Sequence, residues 1–163
     1  MVIYSKKKII KNVNKQKFFN FHPAIPKYRG RDVSHFACYF KEKYFGGTLH
    51  LINEKIDNGE IIDVKKYKIK KNSTHYDYTK IGHKAIKFLL KKNLNDLING
   101  RFEITKIKWG KKLYTRKLFL KQMKVERSFS KRKLNHIISS FYTKEFKSLY
   151  FKNKNKKKYL ILN

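Results

Sequence analysis

Side chains that can move protons or stabilise negative charge occur in two short segments of the sequence. They are Asn20 and His22 in the first segment, and Thr48, His50 and Asp57 in the second. Such residue types can serve acid–base catalysis and hydrogen bonding to an oxyanion. Either segment alone is a weak signal, because a lone histidine after a strand is usually structural and Asp-x-Gly is a common turn. Chemistry therefore requires a fold that brings the two segments together.

Hydrophobic patterns place the two segments at the ends of two strands. Residues 17–21 form a compact aromatic run that predicts a buried strand, and residues 48–52 predict a second strand covered on both faces. Between them, apolar residues spaced i, i+3, i+4 and i+7 predict a helix from Asp32, its capping residue, to about Lys43. His22 and Asp57 are 35 positions apart, close to what a strand-helix-strand crossover needs.

Turn and cap signals organise the rest of the chain. Pro23 and Pro26 predict an extended loop after the first strand, and Gly46-Gly47 predicts a break before the second. Further predicted elements are a strand near residues 61–64, a long helix opened by Ser73, Thr74 and Asp77 and ended near Gly100, short strands around Trp109, a helix opened by Ser130, and a last edge strand over 159–162.

Composition limits the classes of partner without naming one. The chain has 42 Lys and Arg against 11 Asp and Glu, a formal charge of +31 that favours anionic partners. The lysines are spread along the whole chain beside many Ile, Asn and Tyr residues, as AT-rich codons would supply, so the charge alone identifies no ligand. Cys38 is the single cysteine, which excludes an intramolecular disulfide and fits a cytoplasmic setting. No apolar run approaches the ~20 residues that cross a bilayer, so no membrane partner is expected.

The two segments resemble those of a known enzyme family. Residues 20–30, Asn-Phe-His-Pro through Tyr-Arg-Gly, are similar to the first segment of 10-formyltetrahydrofolate-dependent formyltransferases, which act on methionyl-tRNA, glycinamide ribonucleotide or amino sugars. Residues 46–50 and 57–59 resemble the second, Gly-x-Thr-x-His followed by Asp-x-Gly, with Thr48 and His50 one place early relative to the first glycine. Residues 109–117 resemble the tail of sugar-directed members.

The resemblance implies a formyl transfer and a set of residues for it. It implies three groups of residues: Asn20, His22 and Asp57 as catalytic; Asn53, Glu54, Lys55 and Ile56 as the loop that receives the pterin ring; Thr48 and His50 as supporting. Asn20 would donate to the oxyanion, His22 would transfer a proton, and Asp57 would orient His22. The co-substrate would be 10-formyltetrahydrofolate, no metal is required, and the preferred acceptor is a nucleotide-linked amino sugar, ahead of tRNA.

The resemblance also implies a fold, and the absence of the amino-terminal half of that fold. The expected fold is α/β: the C-terminal portion of a Rossmann-like formyltransferase domain with a mainly parallel sheet over residues 1–107, and a small α+β C-terminal extension over 108–163. The family domain has several strands before its first segment, where this chain has nineteen residues, so we expect the amino-terminal half to be absent and residues 1–10 to resemble its last strand.

Three functional hypotheses stay open. The chain is an active formyltransferase, with its amino-terminal half on a separate chain or shortened; an inactive truncated remnant; or a basic nucleic-acid-binding protein. The catalytic trio favours the first over the third, because a binding module does not need Asn20, His22 and Asp57 in this arrangement. It does not separate the first from the second.

Overall fold

A computed structural model describes residues 17–144, 148–153 and 156–160. The expectation for residues 1–10 lies outside this part of the chain. In chain order the described elements are β1 (Phe19–His22), β2 (Arg29–Gly30), α1 (Val33–Tyr39), β3 (Tyr44–Leu51), β4 (Ile61–Lys68), α2 (His75–Ile98), β5 (Leu113–Tyr114), α3 (Arg116–Lys121), β6 (Lys124–Val125), α4 (Lys131–Phe141), β7 (Tyr150–Asn153) and β8 (Lys156–Tyr159). The predicted α/β class is confirmed.

The central sheet has the strand order β1-β3-β4, and both of its pairings are antiparallel. The mainly parallel sheet predicted from the sequence is therefore wrong for these three strands. His22, the last residue of β1, pairs with Thr48, whereas β3 begins four residues earlier at Tyr44. The chain thus enters β3 from beyond the carboxyl end of β1. A parallel pairing would require the chain to return to the amino-terminal end of β1, and α1, a helix of seven residues about 10 Å long, does not carry it there.

Two glycines lie inside β3, where a break was predicted. A Cβ at Gly46 would lie 1.8 Å from the carbonyl oxygen of Lys65 on β4, and one at Gly47 would lie 2.8 Å from the side chain of Ile86 on α2. The glycines therefore allow β4 and α2 to approach the strand closely. Their function is packing, and the predicted break at Gly46-Gly47 is wrong.

The helix boundaries follow the cap signals in two of three cases. The Thr74 N–H donates to Asp77 Oδ2 at 2.8 Å at the start of α2, and Ser130 Oγ accepts from the Lys133 N–H at 3.3 Å at the start of α4. Asp32 makes no such cap for α1, because its carboxylate instead pairs with Arg31 and Arg116. Asp32 is the N-cap residue, as predicted, but its side chain makes no capping hydrogen bond, and α1 ends at Tyr39, before the expected Lys43.

Helix α2 packs along β3 and β4, and α1 packs between α2 and α4. The main core joins α1 and β3 to later residues such as Phe119 and Phe141, so it extends across residue 107. The division into a partial domain and an extension stays a prediction. Within the described ranges, no helix has both the length and the apolar character needed to span a membrane.

Candidate active site

The pairing of β1 with β3 places four polar side chains on one face of the sheet. Asn20 lies opposite His50, and His22 lies opposite Thr48. Residues two apart on a strand share a face, so Asn20 and His22 project on the same side, as do Thr48 and His50. The two predicted segments therefore meet directly, as neighbours across one strand pair.

Asp57, in the loop after β3, completes a cluster with three of these side chains. Asn20 Nδ2 lies 3.1 Å from His50 Nε2 and 3.3 Å from Asp57 Oδ1. His22 Nδ1 lies 3.5 Å from Asp57 Oδ2, and His50 Nε2 lies 3.6 Å from Asp57 Oδ1. The side chains of His22, His50 and Asp57 are 6%, 3% and 5% exposed, so these interactions take place largely out of water.

Backbone carbonyls fix the proton positions on the two histidines. His22 Nε2 lies 2.7 Å from the carbonyl oxygen of Tyr28, which can only accept, so Nε2 carries a proton. His50 Nδ1 lies 2.7 Å from the carbonyl oxygen of Leu51 and is protonated for the same reason. In their neutral forms, His22 therefore keeps a lone pair on Nδ1 facing Asp57, and His50 keeps one on Nε2 that accepts from Asn20.

Burial and hydrogen bonding set the charge of the pair formed by His22 and Asp57. Burial lowers the pKa of His22 below its ordinary value of 6.5, although the Asp57 carboxylate and the Tyr28 carbonyl partly oppose this. Burial alone would raise the pKa of Asp57, but His50, His22 and the Gly30 N–H, which donates to Oδ2 at 2.7 Å, together hold it below its usual value. At neutral pH the site therefore holds a carboxylate beside a neutral imidazole that is ready to accept a proton.

The other predicted residues differ in how they relate to this cluster. Thr48 is fully buried, but its hydroxyl donates to the carbonyl oxygen of Ala24 at 2.7 Å and so holds the loop after Pro23. Residues 53–56 form an exposed loop that leads into Asp57, with the Lys55 N–H bonded to Asn53 Oδ1 at 3.0 Å.

Three residues of the site were not singled out for it by the sequence. The Arg29 guanidinium donates to the carbonyl oxygens of Ile56 and Asp57, and the Gly30 N–H donates to the Asp57 carboxylate. The Trp109 ring lies against both histidines, with its centroid 5.9 Å from that of His22 and 4.9 Å from that of His50. Arg29 and Gly30 belong to the resembling first segment, which was the available signal. Nothing in the sequence alone places Trp109 there.

A cavity of about 240 Å³ opens beside His22. Its lining includes Arg31, Ser34, Thr79 and His83, so donors and charged groups surround it. A small polar molecule in this space would lie next to the cluster. Among the described residues, no group of three or more His, Cys, Asp or Glu side chains could hold a metal ion.

Comparison with known proteins identifies relatives of this arrangement. The formyl transferase family model matches residues 3–93, more than half of the chain. A sugar N-formyltransferase from Shewanella sp. is 25% identical with a TM-score of 0.81, over 94% of this chain and 63% of that one. A 4-N formyltransferase from Francisella tularensis, 22% identical with a TM-score of 0.82 over 96% and 66% of the two chains, shares the fold.

A third solved structure was determined with ligands. The N-formyltransferase from Helicobacter canadensis, in complex with folinic acid and dTDP-3-aminofucose, is 27% identical with a TM-score of 0.68, over 86% of this chain and 52% of that one. The present chain thus spans between about half and two thirds of the length of these relatives.

Proposed function

Because the chain belongs to the formyl transferase family, we propose that it transfers a formyl group from 10-formyltetrahydrofolate to an amine. The observation that carries the proposal is the buried cluster of Asn20, His22, His50 and Asp57, in which polar atoms lie 3.1–3.6 Å apart. It combines an amide donor, a basic imidazole and a carboxylate that is ionised at neutral pH. These groups suit attack of an amine on a formyl carbon, which passes through a tetrahedral intermediate.

His22 is the proposed proton carrier. The amine nitrogen attacks the formyl carbon, a carbon–nitrogen bond forms, and the carbonyl oxygen becomes an oxyanion. The amine proton passes to His22 Nδ1, and the resulting imidazolium lies between the Asp57 carboxylate and the Tyr28 carbonyl oxygen. When the oxyanion collapses, the bond from the formyl carbon to N10 of the folate breaks and His22 returns the proton to N10.

Asn20 is the proposed donor to the oxyanion. Its amide nitrogen lies within hydrogen-bond distance of two atoms of the cluster, His50 Nε2 and Asp57 Oδ1. The longer of these two bonds, to Asp57 at 3.3 Å, is the one that we expect the oxyanion to replace. His50 then acts as a support that keeps the amide plane of Asn20 in place.

The loop of Asn53, Glu54, Lys55 and Ile56 is the proposed pterin-binding loop. It is exposed and leads directly into Asp57, and the Lys55 N–H donates to Asn53 Oδ1 within it. The folinic acid in the Helicobacter canadensis complex is the supporting comparison for a folate co-substrate. A folate bound here would present its N10 side to the cluster.

We propose a nucleotide-linked amino sugar as the acceptor. Two of the relatives support this choice, the sugar N-formyltransferase from Shewanella sp. and the protein bound to dTDP-3-aminofucose. The cavity beside His22 supplies hydroxyl and imidazole donors at which a sugar could bind. A further polypeptide, on a separate chain, is proposed to complete the domain along the edge of β1 that is unpaired among the described residues.

The test is a direct assay of the full chain with 10-formyltetrahydrofolate and a set of dTDP-linked amino sugars, read by mass spectrometry. We expect formylated sugar with the natural sequence and none with His22→Ala. His136→Gln is the matched control, because His136 lies on α4 and bonds to the Tyr39 carbonyl oxygen, away from the cluster. Equal product from His22→Ala and the natural sequence would refute the mechanism. If formylated sugar forms only when the preceding coding region is co-expressed, this result supports an amino-terminal half on a separate chain. If no amine is formylated even with that co-expression, the result favours an inactive remnant.

A further inference from the structure

The loop that carries Asp57 is held by side chains from two other segments of the chain. Its backbone is irregular: Asp57 has a φ of 42°, in the left-handed region that is unfavourable for residues with a Cβ. Such a conformation costs about 1–3 kcal/mol and persists only where the surroundings enforce it. The contacts that enforce it here come from Arg29 on one side and Trp109 on the other.

Arg29 holds the amino-terminal side of the loop. Its Nε donates to the carbonyl oxygen of Asp57 at 2.8 Å, and its Nη2 donates to the carbonyl oxygen of Ile56 at 3.0 Å. A planar guanidinium can serve two adjacent carbonyl groups at once, which an ammonium group cannot do with the same geometry. The next residue, Gly30, donates its N–H to Asp57 Oδ2, so the same short strand fixes both the backbone and the carboxylate.

Trp109 holds the carboxyl-terminal side. Its indole N–H donates to the carbonyl oxygen of Gly59 at 2.7 Å, and its ring packs edge-on against His22 and His50. Gly110, which follows it, approaches the carbonyl oxygen of Lys27 so closely that a Cβ would lie 2.5 Å away. The segment around Trp109 is therefore fitted against both the Asp57 loop and the loop after Pro26.

We infer that Arg29 and Trp109 are positioning residues that together keep the Asp57 carboxylate beside His22. The inference deepens the proposed function, on which its catalytic consequence rests, but the geometry itself does not depend on that function. Within the described part of the chain, the carbonyl groups of Ile56, Asp57 and Gly59 have these two side chains as their hydrogen-bond partners. Loss of either side chain should let the loop relax and carry the carboxylate away from the imidazole.

The test measures the pKa of His22 by NMR titration of its ring proton in the full chain. Burial lowers the pKa of His22 and the Asp57 carboxylate opposes this, so moving the carboxylate away from an imidazole that stays buried should lower the pKa further. Arg29→Lys keeps the positive charge but loses the two-carbonyl contact, and Trp109→Phe keeps a ring but loses the N–H. Asp57→Asn gives the full effect of removing the carboxylate. Arg101→Lys, at an exposed arginine that pairs with Asp96, is the matched control.

We expect a lowered pKa of His22 in both Arg29→Lys and Trp109→Phe, part of the way to its value in Asp57→Asn, and no change in Arg101→Lys. The other groups around His22 are His50 and, at the adjoining cavity, Arg31, Asp32, His35 and His83, and all are the same in these proteins. An unchanged or raised pKa of His22 in either folded variant overturns the positioning role of the substituted residue. Arg29→Lys should fold, because the Arg29 side chain is partly exposed, so it tests the positioning of Asp57 even if Trp109→Phe does not fold.

Kinetics supply an independent readout where formylation is found. A misplaced carboxylate should lower kcat about tenfold and leave the KM for the amino sugar nearly unchanged, since neither side chain lines the cavity beside His22. A rise in KM with kcat unchanged would instead make them binding residues. If the natural sequence formylates nothing, the proposed function fails, whereas the pKa measurement still tests whether Arg29 and Trp109 position Asp57.

Discussion

At the scale of single residues, two backbone carbonyl groups decide what the histidines can do. Tyr28 and Leu51 accept from His22 Nε2 and His50 Nδ1, which leaves the opposite nitrogen of each ring facing the cluster. A histidine whose one ring nitrogen already donates to a backbone carbonyl can accept a proton at the other ring nitrogen without losing that hydrogen bond. The site is therefore prepared for a proton to arrive at His22 Nδ1 beside Asp57.

Asp57→Asn tests the charge that this arrangement requires. The amide has nearly the same shape as the carboxylate, but its one oxygen can accept from only one of the two donors, the Asn20 amide and the Gly30 N–H. The imidazolium at His22 also loses its counter-charge. We expect kcat for formylation to fall about 100-fold or more, with the pKa of His22 lowered. Steady-state kinetics over a range of pH values checks this, and an unaltered kcat would remove Asp57 from the mechanism.

The buried histidines also predict how stability depends on pH. Burial lowers the pKa of His22 and also that of His136, which is less deeply buried. The unfolded chain therefore binds more protons than the folded chain once the pH falls below about 6.5. The free energy of unfolding should therefore decrease as the pH falls from about 7.5 to 5.5. Asp57, whose pKa is lowered, adds its own loss only below its ordinary value of 3.8.

Urea unfolding at several pH values measures this dependence. His136→Gln removes the contribution of His136 and leaves the cluster intact. The free energy of unfolding of this variant should therefore change less between about pH 7.5 and 5.5 than that of the natural sequence. A slope of zero in the natural sequence over this window contradicts the assignment of His22 as a neutral buried imidazole.

The residues singled out from the sequence lie together in the cluster, and their catalytic roles stay a prediction, whereas their surroundings could not be inferred. Asn20, His22, His50 and Asp57 were identified because their types and their family-like segments are visible in the sequence. The carbonyl group of Tyr28 could not be identified, because a backbone acceptor carries no sequence signal. Trp109 lies 50 residues beyond its hydrogen-bond partner, and no local pattern links residues so far apart.

At the scale of elements, the strand pairing explains the spacing of the motifs. Asn20 with His22, and Thr48 with His50, are each two positions apart, which is the period of a strand. The direction of pairing could not be inferred from the same spacing, because residues two apart share a face in either direction. It depends on where α1 returns the chain to the sheet, so the expectation of a parallel crossover was wrong while the meeting of the segments was correctly predicted.

Gly59→Ala tests the close approach of the Asp57 loop to β3. A Cβ at Gly59 would lie 1.7 Å from the carbonyl oxygen of Leu51, so the loop must move. We expect a loss of about 1–3 kcal/mol in the free energy of unfolding, as for other overpacked sites, together with loss of formylation. Gly100→Ala is the control: its φ of 68° makes alanine costly by about 1 kcal/mol, but nothing lies within 4 Å and the site is remote. Full activity in Gly59→Ala would show that the loop tolerates the shift.

At the scale of the whole molecule, the charge of +31 is a cost to folding. Few acidic residues are present, and several are already paired, such as Asp63 with Lys92 and Glu42 with Lys27. A large net charge of one sign destabilises a compact state through self-repulsion, and salt screens that repulsion. We expect the Tm to rise when sodium chloride is increased to about 1 M, where the screening length is roughly 3 Å. A Tm independent of salt would mean that the charges are too dispersed to matter.

The same charge defines the competing hypothesis of nucleic-acid binding, and salt separates it from formyl transfer. Lysines dispersed over the surface should bind RNA through its phosphates alone, so affinity measured by fluorescence anisotropy should fall steeply between about 50 and 200 mM salt. It should also be the same in Asp57→Asn, because this substitution removes no cation that could contact the phosphates. Formylation of an amino sugar at the higher salt should be indifferent to added RNA and lost in Asp57→Asn. RNA binding that stays tight at the higher salt, in a chain that formylates no amine, would instead make the basic surface the functional feature and the cluster a relic of the family.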